Sequence, residues 1–186
     1  PDVDKIAFTG STEVGKRIVA AAASTVKRVS LELGGKSPNI IFPDANLDAA
    51  AGASVGGFCF LSGQICVASS RVFVHEAVYD AFLEKLIANA AAFAPGDPLD
   101  ARTMLGPLVS REQFDRVTGY FKIGREDGAK VALGADTRGG KGYFVQPTIF
   151  TNVSNSMRIA REEIFGPVAS VIRFKDEAEA IQLANQ

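Results

Sequence analysis

The sequence has few of the residues that build disulfide frameworks or metal sites. Its 186 residues include two cysteines, one histidine and no tryptophan. Because Cys59 and Cys66 are too few for a disulfide framework, reduced thiols and a cytoplasmic location are expected. Two cysteines with a single histidine, His75, also lack the spacing of a metal-ligand set. No metal site is therefore predicted.

The chain also lacks an excess of charge of either sign. Its formal net charge is −1, with no block of basic residues and no acidic tail. A nucleic-acid-binding protein is therefore not expected, since such proteins carry a basic patch. The uncharged stretch from Ala49 to Ser70 contains a GxxxG pattern at Gly52 and Gly56. Its many glycines and serines make it too polar for a transmembrane helix, and no membrane role is predicted.

What the sequence does contain is a regular alternation of short apolar runs and helical patterns, which favours an α/β architecture. Pro147 is expected to place its strand at a sheet edge or to make it irregular. Ser110 and Gln113 have the spacing of a helix capping box. The chain opens at Pro1 and stops at Gln186 inside a helical pattern, so both ends are expected to be cut. Strands are predicted at 5–8, 28–33, 38–42, 71–75, 145–150 and 168–174, and helices at 13–23, 47–60, 76–93 and 110–126.

The first motif of interest is Phe8-Thr9-Gly10-Ser11-Thr12-Glu13-Val14-Gly15, at a predicted strand-to-helix junction. A helix N-terminus presents free N–H groups and partial positive charge, which suits the pyrophosphate of a dinucleotide. The spacing does not match the general G-x-G-x-x-G fingerprint. A helix capped by Ser11 or Thr12, with no ligand, is the alternative.

The second motif places Glu32 between Leu31 and Leu33 at the end of a predicted strand. Partial burial there would raise the pKa of the carboxyl group and make it a usable general base. The alternative is a glutamate that pairs with Lys36 or is solvated at the strand end.

The third motif is Gly63-Gln64-Ile65-Cys66-Val67-Ala68-Ser69-Ser70. The small residues after Cys66 leave room for a substrate to reach its sulfur. A cysteine can instead be a small buried hydrophobic residue, which is the role expected for Cys59. His75 follows too far along a strand to serve a cysteine–histidine pair, so a structural or surface role is expected for it.

The fourth motif is Glu162-Glu163-Ile164-Phe165-Gly166-Pro167. Its carboxylates could accept hydrogen bonds from a ribose diol, and its aromatic ring could form the wall of a nicotinamide pocket. A solvated acidic pair in front of a turn is the alternative.

Taken together, these motifs resemble the aldehyde dehydrogenase superfamily. Their order is F-T-G-S-T-x-x-G, L-E-L-G-G-K-S-P, G-Q-x-C and E-E-I-F-G-P, and the resemblance covers essentially the whole chain. It implies an α/β fold in which residues 1–35 end a Rossmann-type NAD(P)-binding domain. Residues 36–186 would then form a catalytic domain that is incomplete at its C-terminus.

The resemblance also implies a role for particular residues. Cys66 matches the family's nucleophile and Glu32 its general base. Glu163 matches the residue that holds the nicotinamide ribose, and Phe165 packs near that ring. Contacts to NAD or NADP are expected at six positions, namely Gly10, Ser11, Gly15, Leu33, Glu163 and Phe165.

The implied activity is NAD(P)-dependent oxidation of an aldehyde to a carboxylic acid through a cysteine thiohemiacetal and a thioester, with Glu32 activating the hydrolytic water. The parent enzyme is expected to be a homodimer or homotetramer, and the isolated segment to be inactive. Members often carry Asn-Gln where this chain has Leu61 and Ser62. Ile65 and Val67 beside the nucleophile favour an uncharged or aromatic aldehyde.

Three alternatives stay open at this point. A CoA-acylating dehydrogenase would pass the acyl group to CoA, although it would need no base such as Glu32. A catalytically silent relative would keep only the fold, which the presence of both Cys66 and Glu32 disfavours. A stand-alone nucleotide-binding module would have to bind with the Gly10–Gly15 turn alone.

Overall fold

The computed structural model describes residues 2–186, and the chain divides into two compact units. The first unit ends at Gly35 and the second spans Lys36–Gln186. The cofactor-binding and catalytic roles expected for these two segments remain predictions. No helix within the described residues is long and apolar enough to cross a membrane.

The first unit is a β-α-β element. Strand β1 (Lys5–Thr9), helix α1 (Thr12–Ala23) and strand β2 (Arg28–Glu32) follow one another, and the two strands pair in parallel. Helix α1 lies against the end of β2 through Gly15, where a Cβ atom would come within 2.8 Å of the Leu33 side chain. Gly15 therefore allows close packing of the helix on the strand.

The second unit is built on a five-stranded sheet with the order β3-β4-β7-β6-β5. Strands β3, β4, β7 and β6 run parallel to one another, and the edge strand β5 pairs with β6 in the antiparallel direction. The strands are β3 (Pro38–Ile41), β4 (Arg71–His75), β5 (Lys130–Leu133), β6 (Thr148–Thr151) and β7 (Val168–Phe174).

Helices cover both faces of this sheet. Successive side chains of a strand point to opposite faces, and in β4 Val72 and Val74 join one apolar cluster while Phe73 joins the other. One cluster packs against α2 (Leu47–Cys59) and α3 (Tyr79–Ala91), and the other against α4 (Arg111–Glu126), α5 (Arg158–Arg161) and α6 (Glu177–Ala184). Burial on both faces explains why the strands are continuously apolar.

The structure corrects three expectations about secondary structure. The strand predicted at 145–150 begins after Pro147, and it lies inside the sheet as β6 rather than at an edge. Because Pro147 stands just before the ladder, its missing N–H costs no strand hydrogen bond. The helix predicted at 76–93 is a 3-10 turn, Glu76–Val78, followed by α3. Strand β5 was not predicted, because four residues between loops carry too little pattern.

The sheet topology decides which loops meet. In the second unit the loops that carry Lys36, Cys66 and Glu163 each lead into a parallel strand, respectively β3, β4 and β7. These loops therefore gather at the amino ends of the strands. In the first unit the situation is reversed, since Gly10 and Leu33 follow the carboxyl ends of β1 and β2.

Two glycines of α4 test the packing of this helix on the sheet. A Cβ atom at Gly124 would lie 2.8 Å from the buried ring of Phe150, whereas one at Gly119 meets nothing within 4 Å. We expect Gly124→Ala to lower the free energy of unfolding by about 1–3 kcal/mol through overpacking. The matched Gly119→Ala should raise it by about 0.5–1 kcal/mol, since alanine favours helix. Chemical denaturation measures both, and equal effects of the two variants would contradict the packing.

Candidate active site

In the first unit, the turn after β1 is fixed by hydrogen bonds of its own. The Ser11 hydroxyl accepts a hydrogen bond from the Val14 N–H as the N-cap of α1, which decides between the two caps considered from the sequence. The Gly10 N–H donates to the Glu32 carbonyl oxygen at 3.0 Å. Within the described residues the N–H groups of Thr12 and Glu13 donate no hydrogen bond. The first turn of α1 therefore keeps free donors.

The glycines of this turn also have packing reasons. A Cβ atom at Gly10 would lie 2.5 Å from the Phe8 ring, and one at Gly15 would meet the half-buried Leu33. Leu33, predicted to contact a cofactor, is thus in contact with helix α1. Glycine at these two positions is explained by contacts inside the unit, whether or not a ligand approaches the turn.

Glu32 is the last residue of β2, and its side chain is exposed. The partial burial expected for it is wrong, because the residues of β2 alternate between exposed and half-buried positions and Glu32 is on the exposed side. Its carboxylate is open to water.

Cys66 lies in an irregular loop between α2 and β4. The chain leaves α2 through three consecutive residues with left-handed backbone, Leu61, Ser62 and Gly63, with φ of 49°, 58° and 69°. Cys66 is half-buried, and the following Val67 is 64% exposed. Within the described residues the backbone N–H of Cys66 donates no hydrogen bond. The nucleophile candidate therefore has an accessible surface and an uncommitted donor beside it.

The loop before Cys66 packs directly on the fourth motif. A Cβ atom at Gly63 would lie 2.2 Å from the carbonyl carbon and oxygen of Gly166 and 2.6 Å from the nitrogen of Pro167. Only glycine allows two backbones to come so close, and Gly63 also has the positive φ that glycine tolerates best. The third and fourth motifs, which are about a hundred residues apart in sequence, thus meet in space.

Helix α4 holds the fourth motif from the other side. The Gln113 amide nitrogen donates to the carbonyl oxygens of Ile164 at 3.0 Å and Phe165 at 2.7 Å. Arg116 donates to the Glu163 carbonyl oxygen. Ser110 caps α4 as expected, since its hydroxyl accepts from the Gln113 N–H. The second half of the predicted capping box is wrong, because the Gln113 side chain points to the motif instead.

The two adjacent carboxylates have different surroundings. Glu162 forms an ion pair with Arg158 and accepts a hydrogen bond from the Tyr120 hydroxyl at 2.7 Å. These two partners, Arg158 before Tyr120, lower the pKa of Glu162 to about 2. The Glu162 side chain thus stabilises the fold. Glu163 and the half-buried Phe165 follow it in a segment whose backbone is held by Arg116 and Gln113.

Lys36 is a functional candidate that the sequence did not single out. Its Nζ is buried and has no hydrogen-bond partner among the described residues. Burial first, and then the nearby Arg71, lower the pKa of Lys36 to about 7, although the charges of Glu163 and Glu162 act in the opposite direction. The buried amino group of Lys36 therefore lies near Glu163. The only sequence signal was a lysine two residues before the strand β3.

The other thiol and the histidine lie outside this arrangement. Cys59 is completely buried in α2, and burial raises the pKa of its thiol to about 12. The His75 ring accepts a hydrogen bond from the Ala77 N–H and packs edge-on against Phe174. These contacts give both residues structural roles. Nowhere in residues 2–186 do three or more potential ligand side chains form a metal-binding group.

Beside the Cys66 loop is an open, largely apolar groove of about 660 Å³. Several of its side chains are unusually exposed for their type, including Phe60 at 61% and Val109 at 78%. Exposed apolar surface of this kind is typical of ligand-binding grooves and of protein–protein interfaces. The residues that line it include Phe60, Leu61, Gln64, Met104, Val109 and Phe165.

The amino-acid sequence matches the model of a known protein family over the entire length of the chain. The model of the aldehyde dehydrogenase family matches residues 1–186. The chain belongs to the aldehyde dehydrogenase family. The resemblance noted in the sequence and the α/β fold expected from it are both confirmed.

Aldehyde dehydrogenases similar to this chain are considerably longer. One from Alternaria alternata is 51% identical over 185 residues, which cover 99% of this chain and 37% of that protein. The P. syringae indole-3-acetaldehyde dehydrogenase AldA, solved in complex with NAD+ and IAA, is 44% identical with a TM-score of 0.98. The NAD+ complex of a Bacillus cereus aldehyde dehydrogenase is 46% identical with a TM-score of 0.96. This chain covers 38% of each of these two structures.

The two cysteines of this aldehyde dehydrogenase segment should differ in reactivity. We expect iodoacetamide to alkylate Cys66 in the folded protein and to modify Cys59 at least about 100-fold more slowly, because Cys59 is buried and its thiol does not ionise. Peptide mass spectrometry after timed labelling measures the two rates. Denaturant should equalise them, and fast labelling of Cys59 in the folded state would contradict the structure.

Proposed function

We propose that this segment supplies the thiol nucleophile, the general base and the nicotinamide-side contacts of an NAD-dependent aldehyde dehydrogenase. The chain spans about 37% of the length of its relatives, so the activity is proposed for the full-length enzyme that carries it. One observation carries the proposal: the contact of Gly63 with Gly166 and Pro167 joins the Cys66 loop to the Glu163–Phe165 motif.

The Cys66 thiolate adds to the carbonyl carbon of the aldehyde, which forms a carbon–sulfur bond and turns the carbonyl oxygen into an oxyanion. The uncommitted N–H of Cys66 supports this step, because a preorganised backbone donor stabilises such an oxyanion. Removal of one donor of this kind typically costs about 10²–10³ in rate. The product on the enzyme is a thiohemiacetal.

The residues of both units are compatible with a dinucleotide. In the first unit, the free N–H groups of Thr12 and Glu13 at the start of α1 suit a phosphate, in the turn that Gly10 and Ser11 form. In the second, we assign Glu163 to the nicotinamide ribose and Phe165 to the face of the ring. NAD+, when bound, accepts the hydride that leaves the substrate carbon. Two similar enzymes solved with NAD+ favour it over NADP.

Glu32 serves the second half of the reaction. Loss of hydride leaves a thioester on Cys66, and an attacking water must lose a proton as its oxygen bonds to the acyl carbon. We assign that proton to the Glu32 carboxylate, whose exposed position at the end of β2 lets it meet water. The carbon–sulfur bond then breaks, and the carboxylic acid leaves as Cys66 returns to thiolate.

The substrate we favour is an uncharged or aromatic aldehyde. Val67, next to the nucleophile, and Leu61 are both largely exposed apolar side chains. A charged substrate would lose hydration against such surface without gaining a partner. A similar structure belongs to an indole-3-acetaldehyde dehydrogenase, which agrees with an aromatic substrate.

Replacement of the nucleophile tests the reaction. We expect full-length enzyme to produce NADH with aromatic and aliphatic aldehydes, and Cys66→Ala to lower kcat by at least about 10³-fold, because no covalent intermediate can form. Absorbance of NADH measures turnover. Cys59→Ala is the matched control and should retain activity within a few fold. An active Cys66→Ala enzyme would remove the thiol from the mechanism, and an inactive wild type would favour a silent relative.

Replacement of the base separates hydrolysis from transfer to CoA. Glu32→Gln should still release about one NADH per site in a rapid burst and then turn over at least about 100-fold more slowly than the wild type, since only deacylation needs the base. Glu84→Gln, which changes an exposed glutamate of α3, is the control. Full turnover of Glu32→Gln that depends on added CoA would identify a CoA-acylating enzyme instead.

A further inference from the structure

One face of helix α4 follows the fourth motif residue by residue. Tyr120 donates to the Glu162 carboxylate, Arg116 to the Glu163 carbonyl oxygen, and Gln113 to the carbonyl oxygens of Ile164 and Phe165. Val117 lies against Gly166, where a Cβ atom would come within 2.5 Å of its side chain. Positions 113, 116, 117 and 120 share one side of a helix. The contacts therefore form a single clamp on the motif.

Gln113 makes the only contacts of this clamp that reach two successive carbonyl groups. An amide nitrogen carries two N–H groups, and in Gln113 both find an acceptor on the motif backbone. The same segment contains Phe165 with a φ of 60°, a left-handed conformation that a bulky side chain adopts only where its surroundings enforce it. The two hydrogen bonds hold the peptide units on both sides of the Phe165 Cα atom.

We infer that Gln113 is a positioning residue, whose amide fixes the Ile164–Phe165 backbone and thereby sets the placement of Glu163 and Phe165 toward the cofactor. This inference rests on the proposed function, because it concerns the residues assigned there to the nicotinamide side. Gln113 is half-buried in the second unit. It acts through the motif and needs no contact of its own with the reacting atoms.

The other contacts of the fourth motif do not depend on Gln113, so a change at Gln113 can alter the position of the motif without unfolding the protein. Without Gln113, the close packing of Gly63 on Gly166 and the contact of Val117 with Gly166 persist, and so does the ion pair of Glu162 with Arg158. The Cys66 loop and the end of the motif thus stay in place, and only the Glu163–Phe165 stretch is loosened. A variant at Gln113 is therefore expected to fold and to keep a reactive Cys66.

The test uses Gln113→Met in the full-length enzyme, with Gln182→Met, an exposed residue of α6, as the matched control. Hydride transfer in a single turnover should slow by about 10- to 100-fold, since small misplacement of reacting partners costs that much. Acylation of Cys66 by 4-nitrophenyl acetate, which involves no hydride, should stay within about twofold of the wild type. Unchanged hydride transfer in Gln113→Met would overturn the inference.

Two further measurements distinguish positioning from a separate role. In a Phe165→Ala background, Gln113→Met should have little additional effect, whereas independent effects would multiply and overturn the inference. Gln113→Glu places a carboxylate against two carbonyl oxygens and should weaken NAD+ binding most at neutral pH. Its defect relative to wild type should shrink as pH falls, since a protonated carboxyl regains one donor. A defect that does not change with pH would count against the hydrogen bonds.

Failure of the inference and failure of the proposed function look different. If wild-type enzyme forms no NADH from any aldehyde, the proposed function fails before Gln113 is tested. If the wild type is active and Gln113→Met transfers hydride at the same rate as Gln182→Met, only the inference fails.

Discussion

The close contact between the backbones of Gly63 and Gly166 is the constraint on which the candidate site depends. Even one carbon at Gly63 would occupy the position of the Gly166 carbonyl group. To reach that contact, the chain adopts left-handed backbone at Leu61 and Ser62, at about 1–3 kcal/mol for each non-glycine residue. Local hydrogen bonds offset part of this cost, because the Ser62 hydroxyl donates to the Gly106 carbonyl oxygen and the Gln64 side chain accepts from Val109.

The sheet of the second unit supplies the rigidity behind this contact. Ligand sites of parallel α/β sheets usually lie at the carboxyl ends of strands, whereas the Cys66 and Glu163 loops both enter strands. Each is tied to the sheet, since the Ser170 N–H of β7 donates to the Ser70 carbonyl oxygen and the Thr148 N–H of β6 donates to the Pro167 carbonyl oxygen. The loops are thus fixed at the end where strands begin, which makes an amino-end site feasible.

The features that the sequence predicted well are those that depend on near neighbours. Strand β4 and the caps Ser11 and Ser110 follow from apolar pattern and from hydrogen bonds over three residues. The direction of the Gln113 side chain and the burial of Lys36 depend on segments far away in sequence, and no local pattern encodes them. The four motifs indicated which residues are candidates for the site, but their spacing could not predict which of them pack together.

The adjacent glutamates of the fourth motif are held in two different ways, one by its side chain and the other by its backbone. The lowered pKa of Glu162 means that its ionised form stabilises the fold above the ordinary value of 4.5, and that this stabilisation is lost only as pH falls toward about 2. The anchor therefore stays charged throughout the neutral range. At Glu163, one residue later, the contact with Arg116 is made by the backbone, since the Glu163 carbonyl oxygen accepts the hydrogen bond. Backbone anchoring of this kind fixes the position of a residue through its main chain.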